Sequence, residues 1–117
     1  PSPIGSLIHP EFGLWHANRG AFLFYKKLSL PKKPQSSSPC NACSSKQCLS
    51  SCPVEAFSFE GFNRLKCVTY IETNEEKSCF SEGCGARRAC PIGQSYQYNS
   101  AQAFFHQQQF LRSGMRY

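Results

Sequence analysis

The sequence predicts an α+β fold in which two pseudo-symmetric, cysteine-bearing halves form a core over residues 40–93. An N-terminal extension over 1–39 precedes the core and a C-terminal helix over 94–117 follows it. Three observations carry the prediction. Eight cysteines fall in two runs, and each run ends in a Cys-Pro pair, Cys52-Pro53 and Cys90-Pro91. A short alternating piece, Ala56-Phe-Ser-Phe-Glu-Gly-Phe62, lies between them and reads as a strand and turn. Finally, Asn99-Ser100 supply helix caps ahead of Ala-Gln-Ala-Phe-Phe-His-Gln-Gln-Gln-Phe-Leu111, an apolar stripe that closes near Gly114.

Taken in order, the first element is a helix predicted from about Trp15 to Lys27, because Leu14, Ala17, Ala21, Phe22, Phe24 and Tyr25 fall loosely on one side of a 3.6-residue period. Leu30-Pro-Lys-Lys-Pro-Gln-Ser-Ser-Ser-Pro39 resists both helix and sheet and reads as an extended strap. The cysteine core starts directly after it. At 117 residues the chain is one domain's worth, and a domain this small buries only about two thirds of the surface its unfolded form exposes, so additional staples are expected. The most apolar run, Ala21-Phe-Leu-Phe-Tyr25, is flanked by Arg19, Lys26 and Lys27. It falls far short of the roughly 20 apolar residues of a membrane span. The chain opens on Pro1 without the basic start and apolar stretch of a secretory signal. The expectation is a cytoplasmic protein without a membrane span.

The formal net charge of +6 is unevenly placed. Residues 1–39 carry five basic groups and one acid, residues 92–117 carry two basic groups and no acid, and the six basic and six acidic groups between them cancel. Lys26, Lys27, Lys32 and Lys33 are therefore expected to dock an acidic redox partner or a neighbouring subunit. Dispersed Lys and Arg with no recognition motif argue against nucleic acid.

The cysteine spacing points to chemistry. The first run is Cys40-x2-Cys43-x4-Cys48-x3-Cys52-Pro53; the second is Cys67, Cys79, Cys84 and Cys90-Pro91. In bacterial two-cluster ferredoxins three close cysteines bind one 4Fe-4S cluster, and the fourth, before proline, reaches across to the other. Proline suits that place because it lacks an N–H, fixes φ, and turns the chain away after the ligand. By that rule one cluster takes Cys40, Cys43, Cys48 and Cys90, the other takes Cys52, Cys67, Cys79 and Cys84, and every cysteine is used once. The first run carries two more residues before its third cysteine than the usual spacing. A disulfide framework and a pair of zinc sites are the alternatives for eight cysteines. Neither needs two Cys-Pro endings, and the later spacings do not repeat a close zinc pair. His9, His16 and His106 are read as packing or surface residues. Arg87 and Arg88 are read as partners of cluster sulfurs or of carboxylates such as Glu82, and Phe104, Phe105 and Phe110 as the buried face of the last helix.

Cys67-Val-Thr-Tyr-Ile-Glu-Thr73, and Gly83-Cys84 leading to Cys90-Pro91, resemble the dicluster ferredoxin module of epoxyqueuosine reductases. The resemblance runs from about Cys40 to Gly93, under half the chain. The flanking segments His9-Pro-Glu-Phe-Gly-Leu-Trp15 and Arg19-Gly-Ala21, with Gly83-Cys-Gly-Ala-Arg-Arg-Ala-Cys-Pro91, are similar to a group of ferredoxin-like proteins. The resemblance implies a ferredoxin-like core and bacterial-type electron transfer. Two departures bear on the ligands: Arg87 stands where the reductases have a cysteine, and Cys79 is supplied upstream instead. No counterpart of the reductases' corrinoid-binding domain is present, so their reaction does not carry over. The expected function is electron transfer without an enzymatic activity of its own. The alternative is an iron–sulfur subunit with a docking role in a larger redox complex.

Overall fold

The computed structural model describes residues 1–32, 37–74 and 78–114. Its elements are α1 (Pro39–Ala42), α2 (Gln47–Ser50), β1 (Phe57–Ser58), β2 (Gly61–Phe62), α3 (Arg64–Thr73), α4 (Ser78–Ser81), α5 (Gly85–Arg88) and α6 (Ser100–Gly114), with a single 3₁₀ turn at Gln94–Tyr96 before the last helix. Short helices and one two-stranded sheet make the molecule α+β, as the sequence predicts.

The alternating piece, read as a strand and turn, folds as a hairpin. Phe57 faces Phe62 and Ser58 faces Gly61 in antiparallel register, which places Phe59-Glu60 in the turn. The Phe57 and Phe62 rings stack with centroids 4.8 Å apart. Asn63 then caps α3, its side chain accepting from the Lys66 N–H at 3.0 Å. Asn99 caps α6 in the same way, accepting from the Gln102 N–H at 2.9 Å.

α6 wraps the second half of the core. Ala103 is buried on its inner face, where Gly83 comes close enough that a Cβ there would lie 3.1 Å from the Ala103 side chain. Phe104 meets Phe80 edge-on at 4.9 Å, and Phe110 lies under the Arg64 guanidinium at 4.3 Å. Phe105, expected on the same buried face, is 55% exposed. It stands one position off the stripe formed by Ala103, Phe104, Gln107 and Phe110, so the helix's rotation turns it outward.

The N-terminal segment is part of the core and not an appendage. Ile4 and Leu14 are buried in one cluster with Ala86 and Cys90. His9 and Gly13 close a small loop through paired backbone bonds of 2.8 and 3.0 Å. Gly13 sits at φ +57° with its α-carbon face against the Ile92 carbonyl, where a Cβ would come within 1.9 Å of the oxygen. Reciprocally, a Cβ on Gly93, at φ +74°, would meet the Phe12 carbonyl at 2.4 Å. Two bare backbones therefore fit together where the chain leaves Cys90-Pro91.

The helix predicted over Trp15–Lys27 does not form: the backbone is irregular from residue 15 to 24 and bends at 25–26. Its stripe has no surface to cover, since Phe22, Leu23, Phe24 and Tyr25 are 65% exposed or more. A helix of that length holding Gly20 and lacking tertiary packing is marginal in water. This arm enlarges the molecule. The radius of gyration is 16.2 Å, against about 13 Å for a compact chain of this length. Part of the Pro/Ser-rich strap, with Lys33, lies outside the described residues.

Candidate metal centres

All eight cysteines are free thiols, and the fold divides them between two cavities. The first is a narrow cleft of about 20 Å³ bordered by Cys40, Cys43, Cys48 and Cys90. The second, about 280 Å³, is bordered by Cys52, Cys67, Cys79 and Cys84. These are the two crossed sets read from the Cys-Pro rule.

The first set is built mostly by local turns. Ser38 caps α1 by accepting from the Cys40 N–H at 3.3 Å, and Pro39 occupies the first turn, where its missing N–H costs nothing. Cys43 ends that helix in extended backbone. Lys46, in the left-handed region at φ +43°, then starts α2, and its ammonium donates back to the Cys40 carbonyl. The backbone N–H of Lys46 and the Ser45 hydroxyl, whose oxygen is 3.9 Å from the sulfur, hold the Cys43 thiol below its ordinary pKa. Cys48, on α2, is pushed up by burial and then by the neighbouring Cys90, Cys40 and Cys43. Cys90 comes from beyond α5 and is buried.

Four separate elements build the second set. Cys52 follows α2, and the left-handed Glu55 folds the chain so that the Ala56 N–H donates to the Cys52 sulfur at 3.2 Å. α3 presents Cys67, and burial pushes its thiol up to about 11, assisted by Cys84, Cys52 and Cys79 and opposed by Arg64. α4 carries Cys79, whose carbonyl accepts from the Gln107 side chain at 2.7 Å and so ties α4 to α6. Cys84 is the N-cap of α5. Burial raises its thiol, while the N–H groups of Arg87 and Ala86 oppose the rise by donating to it. Phe57, Phe62, Ile71 and Phe110 line the same cavity.

Arg87 borders the second cavity and has partners that sequence reasoning did not name. Its guanidinium does not meet a carboxylate. It donates from Nε to the Leu14 carbonyl at 2.9 Å and lies between the Trp15 and Tyr98 rings, 4.6 Å from each centroid. It thereby joins the N-terminal segment to the wall of the second cavity. The signal available in the sequence was an aromatic residue in each flank, Trp15 and Tyr98, but nothing local says that they meet. Arg88 pairs with Glu82, as expected. His9 accepts from the N–H groups of Glu11 and Phe12 at 3.1 and 3.2 Å, His16 bonds the Gly13 carbonyl at 3.2 Å, and His106 stacks on Tyr98 at 5.0 Å. None of the three lines either cavity.

Each set of sulfurs borders its cavity rather than closing on a point. Among the described residues, no three or more His, Cys, Asp or Glu side chains are arranged to hold a single metal ion. Among the described residues, no helix is long and apolar enough to cross a membrane. No protein family, curated protein or solved structure matches the chain.

Proposed function

We propose that the protein transfers electrons through two 4Fe-4S clusters, held by Cys40, Cys43, Cys48 and Cys90 and by Cys52, Cys67, Cys79 and Cys84. The observation that carries this reading is the division of eight free thiols into two sets of four, each around its own cavity, with Cys52 and Cys90 crossing over. The donor chemistry fits the group, because each set is thiol only, as Cys₄ ligation requires. Backbone N–H groups already point at Cys43, Cys52 and Cys84, where they offset negative charge on sulfur. The fit extends to volume only at the second cavity; at the first cleft, the donor set alone fits.

When bound, such a cluster gains and loses one electron at a time at potentials set by charge, hydrogen bonds and solvent exposure. The chain's own residues set those conditions. Eight thiolates fill every protein-ligand position, so no place is left for a substrate, and the reading is a carrier rather than an enzyme. Phe57, Ile71 and Phe110 give the second cavity an apolar lining, and a redox protein partner would meet the partly exposed thiols of either set. α2 packed on α5, each followed by its Cys-Pro pair, is in this reading the centre of a ferredoxin-like core. Free thiols in this number also suit a reducing compartment such as the cytoplasm.

Iron and acid-labile sulfide analysis of anaerobically prepared protein tests the proposal. About eight iron and eight sulfide per chain are expected. Stoichiometric zinc without sulfide overturns it.

A further inference from the structure

The segment over residues 17–32 is the one long stretch of the described chain without helix or strand that also leaves its apolar side chains in water. Phe22, Leu23 and Tyr25 are 90, 98 and 111% exposed, and Phe24, Leu28 and Leu30 follow at 65, 47 and 75%. Phe22, Leu23, Phe24 and Tyr25 are consecutive in an irregular backbone, and none of them is covered. A groove on a protein, or an added strand, would select alternate residues and leave the others polar. This pattern selects no side.

The charges around the patch have one sign. Between Glu11 and Glu55 the sequence contains no acidic residue. Arg19 precedes the aromatic run, and Lys26, Lys27 and Lys32 follow it. Among the described residues, no helix can cross a bilayer, so what the segment offers is insertion to the depth of the headgroups. Aromatic and leucine side chains favour that depth, and lysine and arginine beside them are drawn to anionic headgroups. An acidic protein would satisfy the lysines but would have to enclose Phe22 to Tyr25 on every side.

We propose that residues 17–32 form a peripheral membrane anchor that binds the surface of an anionic bilayer, inserting Phe22, Leu23, Phe24 and Tyr25 among the headgroups while Arg19, Lys26, Lys27 and Lys32 neutralise lipid charge. The segment contains no cysteine, so the anchor does not depend on the electron-transfer reading and survives its failure.

Co-sedimentation of the full, anaerobically prepared chain with vesicles tests it. Vesicles of phosphatidylcholine containing about a third phosphatidylserine should bind at least about tenfold more protein than phosphatidylcholine alone, and added salt should erode the difference. Replacing Phe22, Leu23, Phe24 and Tyr25 together by Ser should abolish binding to both vesicles. The double change Lys26→Gln and Lys27→Gln should make the two vesicle types nearly equivalent. Because all these side chains project into solvent, iron content and circular dichroism should stay as in the parent. Equal binding to both vesicles by the parent chain, or binding that survives the serine replacements, overturns the proposal. So does retention on immobilised polyglutamate without vesicle binding, which would assign the arm to an acidic protein partner.

Discussion

The two thiol sets differ in how much of the protein is needed to make them. Three of the first four cysteines lie within one stretch, Cys40 to Cys48, on two single-turn helices whose caps and turns are local. Only Cys90 comes from afar. The second four come from separate parts of the chain, and Gln107 and Phe110 of α6 help to line their cavity. The thiols differ accordingly: Cys43 is lowered by a neighbouring N–H, while Cys67 is pushed up to about 11 by burial and by three other thiols. One site is close to a sequence motif, and the other is a product of tertiary structure. Cys43 should therefore be the readiest of the first set to ionise, whereas the second set, drawn from distant segments, should depend more on metal to hold its surroundings together.

The strongest way to break this comparison is to remove the metal that the proposed function assigns to the two sets. Ligation free energy is also folding free energy, and the second cavity, about 280 Å³, is lined mainly by apolar residues and thiols. Chelation of the anaerobic protein should abolish amide-exchange protection in α3, α4 and α6 and reduce the circular dichroism helix signal by more than half. Exchange that changes as little there as around the His9–Gly13 loop would show that the second half is self-supporting.

A backbone substitution should act on the opposite side. Gly13→Ala places a methyl 1.9 Å from the Ile92 carbonyl in a left-handed conformation, and the combined strain should cost at least about 2 kcal/mol. Because the Gly13–Gly93 contact positions the chain leaving Cys90, iron loss should fall mainly on the first set, leaving about four iron per chain. Retention of all eight would separate that contact from the cleft.

A smaller effect is expected at Arg87, where lysine keeps the charge but loses the fork between Trp15, Tyr98 and the Leu14 carbonyl. Arg87→Lys should destabilise by about 1–2 kcal/mol, read as a lower denaturation midpoint with iron content retained. An unchanged midpoint would mean that the stack does not secure the N-terminal segment.

Thiol titration of the iron-free chain sharpens the contrast without changing a residue. Cys43 should be alkylated at lower pH than a free cysteine, while Cys67, once the second half has opened, should react as an ordinary thiol; a Cys67 that reacts only as pH approaches about 11 would mean that the second half keeps its fold without metal. The linkage has a definite sign. A thiol raised from 9.0 to about 11 stabilises the fold below pH 9, and that contribution is lost as pH rises through the interval to 11. The lowered Cys43 contributes above the ordinary thiol range, and its contribution is lost as pH falls through the lowered value. Simultaneous modification of both cysteines would remove the difference.

The grouping of the cysteines was legible because it is written in spacing. Two Cys-Pro endings divide eight cysteines into the sets that border the two cavities, and the Asn99 cap with its apolar stripe places α6. The helix expected after Trp15 was not legible, because periodicity reports which residues share a side but not whether any surface waits to receive them. Phe22 to Tyr25 had the pattern and no partner. Arg87 was missed for the converse reason: its partners, Leu14, Trp15 and Tyr98, are far from it in sequence and carry no charge. Gly13 and Gly93 look like ordinary turn glycines until the fold brings their backbones together.

The crossover of Cys52 and Cys90 bears on whether the chain can be divided. A cut between Cys52 and Cys67 yields two fragments with four cysteines each, so by count either could fill a site. Under the proposed ligation neither would hold a complete set, because each would have surrendered one ligand and retained one that belongs to the other. A half-length ancestor with a single site would have had to use its own Cys-Pro cysteine, and joining two copies would then have required both to exchange that ligand. Clusters ligated in this crossed way would interlock the halves, and inheritance of either alone would not transmit a working site.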